Sequence, residues 1–392
     1  MPAPARTDSA PTPFVVAMAG LVALAVAMGI GRFAFTPIMP MMEADAGLTL
    51  RAAGWLAAVN YLGYFLGALC AVRVPLHWAI RGGLLLIATV TFAMGETHVF
   101  ALQLVLRLLA GIASAWVLVH VSAWALHWLL AWRRSQASGI VYAGVGVGIA
   151  VAGLLSMAAM LAQLHSDRAW QLLGLLSLFA TLLLWRAFRV DDSTTGKQAA
   201  EDTGVPARIR WDADKWRLLI CYGVFGIGYI IPATYLPDMA HRYIDNPLVF
   251  GLAWPVFGLA AALSTWLASR WMTRVDGRRL WALCYVLMAT GVALPAFWTS
   301  LVAIMLAALL VGGTFMVVTM LGLREARLAV GAEATAFIAL MTAAFAIGQI
   351  LGPLLVSAVL HWAYGFAGAL LGVAAALLLA GVSLWRSAAM AA

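Results

Sequence analysis

Residues 29–42 read GIGRFAFTPIMPMM, and residues 226–239 read GIGYIIPATYLPDM. An offset of 197 positions lays Gly29 on Gly226, Ile30 on Ile227, Gly31 on Gly228, Pro40 on Pro237 and Met42 on Met239. The same offset carries Gly54 onto Gly251, Arg73 onto Arg270 and Arg81 onto Arg278. It is close to half of the 392-residue chain, so the two halves read as copies of one unit.

Composition says what that unit is made of. Hydrophobic residues are 64% of the chain and charged residues 10%, against about 25% charged in ordinary soluble domains. One soluble core has no room for that much apolar surface, so the solvent is largely the lipid bilayer. About 20 apolar residues cross a bilayer as a helix. Twelve such runs are present, at 14–42, 50–72, 80–97, 99–130, 136–164, 168–187, 215–240, 248–270, 280–298, 300–323, 334–360 and 364–386. Helices satisfy their own backbone in lipid, and these runs are too long for barrel strands. The expected fold is an all-α polytopic membrane protein with twelve transmembrane helices in two six-helix bundles. The bundles are placed at 1–187 and 214–392, joined by a polar linker of mixed charge at 188–213. The first run is far longer than the ~7–15 residues of a signal-peptide core and is kept as a spanning helix.

The basic residues set the orientation. With both termini in the cytoplasm, nineteen of the 24 Lys and Arg fall on inside segments. Arg51, Arg168 and Arg242 fall outside, and Arg32 and Arg107 lie within spans. This bias agrees with the positive-inside rule and with the cytoplasmic (inner) membrane of a bacterium. The net charge of +8 is then a topology signal, and no basic patch on a soluble face points to nucleic acid. Three widely spaced cysteines suggest neither a disulfide framework nor a zinc cluster. His120 and His127 stand two helical turns apart, about 10 Å, too far to share a metal. GVGVG at 144–148 follows no strand and is not a phosphate loop. No catalytic cluster, metal site or cofactor site is expected, and the chain does not read as an enzyme.

Both copies begin on the same side, so the repeat is parallel, an arrangement that puts a solute site between two bundles at mid-depth. The motifs agree. SRWMTRVDGRRLW, residues 269–281, holds Arg270, Arg274, Asp276, Gly277, Arg278 and Arg279. Its counterpart in the first half retains Gly67, Arg73 and Arg81 without the aspartate. Arg107 is followed four residues later by Gly111, and Gly144, Gly146, Gly148 and Gly153 crowd the fifth run without a proline. In these features the whole chain resembles the major facilitator superfamily. GIGRFAFTPIMPMM, NYLGYFLGAL and RLLAGIASAWVLVHVSAWAL resemble, more narrowly, its YbfB/YjiJ-type branch. The resemblance implies the twelve-helix fold, a transport function, and a coupling or gating role for Arg107; the loop of Arg270, Arg274, Asp276, Arg278 and Arg279 falls where the eighth and ninth runs meet the cytoplasm. That loop is expected to act as a charge latch on the second half.

Polar residues inside the runs nominate a site. Arg32 is the only charge between Asp8 and Glu43. It lies about ten residues, roughly 15 Å, from the end of its helix. A charge at mid-bilayer costs at least ~2.5–3.5 kcal/mol, so a cavity-facing position is the default, with snorkelling to the headgroups as the alternative. The duplicated position is Tyr229, so the fold needs the neighbouring glycines and proline but not the charge. Arg107 reads either as a structural arginine on neighbouring carbonyls or as a coupling group. No Asp or Glu lies near the middle of a run, so an anionic solute can supply the counter-charge. A proton as coupling ion lacks the usual buried carboxylate. His120 is the nearest titratable candidate, and a neutral, hydrogen-bonded histidine is the alternative. Asn60, Tyr64, Tyr142, Tyr229 and Gln349 join Arg32 and Arg107 as candidate substrate contacts, though each singly can be a helix–helix hydrogen bond.

The leading function is therefore secondary active transport of a small solute by alternating access, with an organic anion on Arg32 as the favoured cargo. The alternative is an exporter of amphiphilic drug-like compounds, suggested by seventeen Trp and seventeen Met. A sensor or membrane enzyme would want a soluble domain or a catalytic cluster, and neither is visible.

Overall fold

The structure is a computed structural model that describes residues 11–188, 209–241, 247–272, 274–298, 300–359 and 365–391. Among these residues it is helical, without strands, and a helix falls on each of the twelve runs. The first half comprises α1 (the span Pro13–Asp45), α2 (Leu50–Cys70), α3 (Gly83–Met94), α4 (Phe100–Ala131), α5 (Ser138–Leu161) and α6 (Ser166–Leu184). The second comprises α7 (Ala213–His241), α8 (Pro247–Trp271), α9 (Gly277–Phe297), α10 (Leu301–Val330), α11 (Ala334–Val359) and α12 (Gly365–Ala391). Nine stretches of the described residues are long and apolar enough to cross a membrane, one of them, Val302–Val356, running through two helices. Most of the expected linker, and Arg242 of an expected outer loop, lie outside the described residues.

Local chemistry sets the helix starts. Thr12 and Thr49 accept the N–H of the residue three positions on, Val15 and Ala52, before α1 and α2. Asp276 accepts the N–H groups of Arg278 and Arg279, two and three positions on, at the start of α9. Each satisfies a backbone donor that the helix leaves without a partner, a contribution of about 1 kcal/mol.

The duplication is visible in the packing. In the first half α1 lies on α5, α2 on α4 and α3 on α6; in the second α7 lies on α11, α8 on α10 and α9 on α12. Each second-half pair is the first-half pair advanced by six helices. The correspondence reaches single residues: Gly29 abuts Gly148, and their counterparts at the same offset, Gly226 and Phe345, also abut. A Cβ on Gly29 would sit 2.4 Å from Gly148 Cα, so the α1–α5 approach requires glycine. The halves meet through α5 against α8 and α2 against α11. Small residues make that seam close: a Cβ on Gly146 would lie 2.4 Å from Gly258 O. α6 and α12 leave Phe179, Leu183 and Leu379 exposed on their outer faces, as apolar side chains at a bilayer would be.

Candidate functional site

The site begins with a break in α1. The helix is regular over Pro13–Leu24, widens to a π-helix over Ala25–Ile30, and resumes at Phe35. Wide turns of this type gather at functional positions. Gly31 N–H bonds Val26 O at 2.9 Å rather than Ala27 O, and Ser114 Oγ on α4 takes the freed Ala27 carbonyl at 2.7 Å. Pro37 has no N–H for Phe33 O. Thr36 N–H serves that carbonyl instead, at 3.3 Å, and leaves Arg32 O without its helical donor. Arg107 fills the gap: Nη2 donates to Arg32 O and Nη1 to Gly31 O, both at 3.3 Å. Its guanidinium rests 5.1 Å from the Phe35 ring centre. Both terminal nitrogens of Arg107 are thus engaged by backbone carbonyls of α1. Asn60 continues the same scaffold, its Nδ2 donating to Arg107 O at 2.9 Å.

Arg32 is placed differently. It is 4% exposed. Its Nη2 crosses between the bundles to donate to Gln349 Oε1 of α11 at 2.7 Å. The face of Tyr64 lies 3.9 Å from the guanidinium carbon, with Phe33 and Tyr61 at 5.4 and 5.6 Å. This is a cation–π seat, worth ~2 kcal/mol or more when desolvated. Arg32 Nε and Nη1 and Gln349 Nε2 have no hydrogen-bond partner. Buried donors left in that condition cost about 1–3 kcal/mol each. All three are donors, so the group that complements them is an acceptor.

The second half faces this cation with aromatic rings. Trp254 and Phe257 of α8, Phe315 of α10, Tyr229 of α7 and Phe345 of α11 form a near-parallel series. Successive centroids are 5.4, 5.4, 4.9 and 6.3 Å apart, and successive planes differ by 9°, 19°, 21° and 27°. Phe33, adjoining Arg32, meets Tyr229 and Phe315 edge-on at 6.4 and 6.3 Å. Charge and stack thus share a border. Tyr229 is a sequence candidate, whereas Phe257, Phe315 and Phe345 are not legible as its neighbours, because rings from four helices carry no common spacing in the chain. Tyr142, also a candidate, is buried on α5 beside Ser122 of α4.

His120 stands apart from Arg32. It is thirteen residues further along α4 than Arg107, about 20 Å of helix. Its Nδ1 lies 3.0 Å from Trp116 O and its Nε2 3.1 Å from Val74 O, so it ties α4 to the chain after α2. At this Arg-rich end the halves are also bridged by Arg327 Nη2 and His127 Nδ1, 2.8 Å apart, a contact that sequence reading did not foresee.

In the charged loop before α9, the partners of the basic side chains lie outside the loop. Asp276 caps its own helix, and Arg270 lies 4.0 Å over the Trp266 ring. The carboxylates that hold Arg278 are Asp214 and Glu325. The fork donates from Nη1 and Nη2 to the two Asp214 oxygens at 2.7 and 2.6 Å, and Nε donates to Glu325 at 3.2 Å. Nη1 also reaches Ser387 Oγ at 3.3 Å. The network joins α7, α9, α10 and α12, all within the second half.

A profile of the family described as "Uncharacterised MFS-type transporter YbfB" matches residues 24–385. The chain belongs to that family. It is an integral membrane transporter of the major facilitator type, with a small-molecule solute as its cargo. The crystal structure of the human organic anion transporter MFSD10 (TETRAN) is similar, with a TM-score of 0.72 over 96% of this chain and 100% of that one. The two are 18% identical, so the likeness concerns the fold. No curated protein sequence matches the chain. In this YbfB-type member the break in α1, its arginine and the α11 glutamine lie where the two six-helix halves meet.

Proposed function

We propose that the chain is a secondary transporter of a small organic anion, moved by alternating access, with the anionic group held by Arg32. The observation that carries this reading is the trio of unmatched donors, Arg32 Nε, Arg32 Nη1 and Gln349 Nε2, at the meeting of the two halves. A carboxylate is acceptor-only and suits a guanidinium fork with two parallel bonds. Because Arg32 and Gln349 belong to opposite halves, a solute that takes Arg32 from Gln349 releases a tie between them. Binding is thereby linked to rocking. The name of MFSD10 as an organic anion transporter accords with the reading.

In this proposal the halves are 1–187 and 214–392, with 188–213 as a cytoplasmic tether, both termini cytoplasmic and the membrane a bacterial inner one. Tyr64 seats the guanidinium, Gln349 competes for it, and Asn60 and Arg107 maintain the α1 break. His120, facing two carbonyl oxygens, fits a structural role better than proton coupling. The Arg278 network steadies the second half. Export of amphiphilic compounds is the second reading, favoured by the aromatic series on α7, α8, α10 and α11.

Uptake into proteoliposomes of a panel of radiolabelled organic anions, cations and neutral compounds tests the proposal. Anions should be moved by the parent, weakly by Arg32→Lys and not by Arg32→Gln. Transport of cations instead, or unchanged anion transport in Arg32→Gln, would reject it.

A further inference from the structure

Resting on that reading, we infer that the cargo is an aromatic carboxylate: one carboxylate borne on a flat conjugated ring. The two halves contribute different chemistry. The first supplies a buried cation with unmatched donors. The second supplies five rings within 27° of parallel between neighbours, with Tyr229 and Phe315 touching Phe33 at the border of the charge. A saturated body would gain only burial from such a wall. A conjugated ring adds offset stacking and edge-to-face contacts.

The backbone makes room for this wall. Gly312 lies under Phe257, where a Cβ would come within 2.6 Å of the ring. Phe257 can therefore lie against the α10 backbone, parallel to Phe315. Phe315, Tyr229 and Phe345 are 2%, 1% and 6% exposed, while Trp254 and Phe257 at the far end are half-buried. The hydrogen-bonding capacity is narrow. Arg107 has both terminal nitrogens on backbone carbonyls, which leaves Arg32 and the Gln349 amide with unmatched donors at the charge, and Trp254 Nε1 with one at the far end of the stack. A single carboxylate that displaces the Gln349 oxygen from Nη2 can take one edge of the Arg32 guanidinium. An aromatic acid is at once an organic anion and an amphiphile.

The probes are 2-naphthoate and its saturated counterpart of the same skeleton, decalin-2-carboxylate. Binding to the full-length protein in nanodiscs is measured by isothermal titration calorimetry, for the parent, Arg32→Gln and Phe315→Met. The parent should bind 2-naphthoate about tenfold tighter than the saturated acid. Phe315→Met should narrow that ratio at least threefold, and Arg32→Gln should lose both acids. Equal binding of the two acids by the parent, with both lost in Arg32→Gln, would overturn the aromatic assignment and leave the anion reading standing. Binding that is insensitive to Arg32→Gln would overturn both. The comparison of the two acids on the parent needs no variant, so the inference remains decidable if Phe315→Met does not fold.

Discussion

Gln349→Glu places a carboxylate where an amide oxygen now lies 2.7 Å from Arg32 Nη2. The neutral acceptor becomes an anion tethered to the opposite half. With charge centres about 4 Å apart and an effective dielectric near 20, the attraction is about 4 kcal/mol. Desolvation of the new carboxylate offsets part of it. Hydrogen bonds to charged groups retain about 1.5–3 kcal/mol net. A solute anion must displace this internal competitor, so its affinity should fall roughly 10- to 150-fold. Gln349→Leu is the control: it removes a hydrogen-bonding side chain without adding charge, and should change affinity by less than about tenfold. The assay is titration calorimetry in nanodiscs, with thermal unfolding in parallel. The Gln349→Glu midpoint should be no lower than the parent's, because a buried guanidinium gains its counter-charge. Parent-like affinity in a folded Gln349→Glu protein would refute the competition for Arg32.

Arg107→Leu removes the side-chain donors of Gly31 O and Arg32 O, a loss of about 1–3 kcal/mol for each carbonyl. Its unfolding midpoint should drop by several degrees while the folded fraction keeps most of its solute affinity; an unchanged midpoint with lost binding would contradict the structural role. Asp214→Asn should lower the midpoint more than Asp276→Asn, since Asp214 carries the fork of Arg278 and Asn remains a competent helix cap. The reverse order in a thermal-shift series would show that the Arg278 network has been misread. For topology, Ser193→Cys and Glu43→Cys are made in a background lacking Cys70, Cys221 and Cys284. An impermeant thiol reagent applied to intact cells should label only Glu43→Cys, and labelling of Ser193→Cys would invert the proposed orientation.

The fold was legible in the sequence because its determinants are one-dimensional. Apolar run length, the basic residues between runs and the GIG…P…M repeat all survive without coordinates. Arg32 as a charge within an apolar run was legible for the same reason. Its partner was not: Gln349 lies 317 residues away, and only the docking of the two halves brings the pair together. Arg107 and Arg32 look alike in the sequence, each an arginine within an apolar run. The carbonyls that separate their roles exist because Pro37 and the π-turn free them, which is a property of the folded α1. The aromatic series is assembled from α7, α8, α10 and α11. In the Asp276 loop the motif is plain in the chain, and the carboxylates that pair with Arg278 come from Asp214 and Glu325, which lie far from it in sequence.

The most direct test of the central claim is the Nε–H resonance of Arg32. Protein labelled with 15N-arginine is examined in nanodiscs, and the Arg32 signal is assigned by its loss in Arg32→Gln. On saturation with 2-naphthoate or decalin-2-carboxylate, whichever binds, the Arg32 Nε–H should move downfield as an unmatched donor gains a carboxylate. The Arg107 Nε–H, assigned from Arg107→Lys, should move far less. Solute binding that leaves the Arg32 signal in place would contradict the claim that this guanidinium holds the anion.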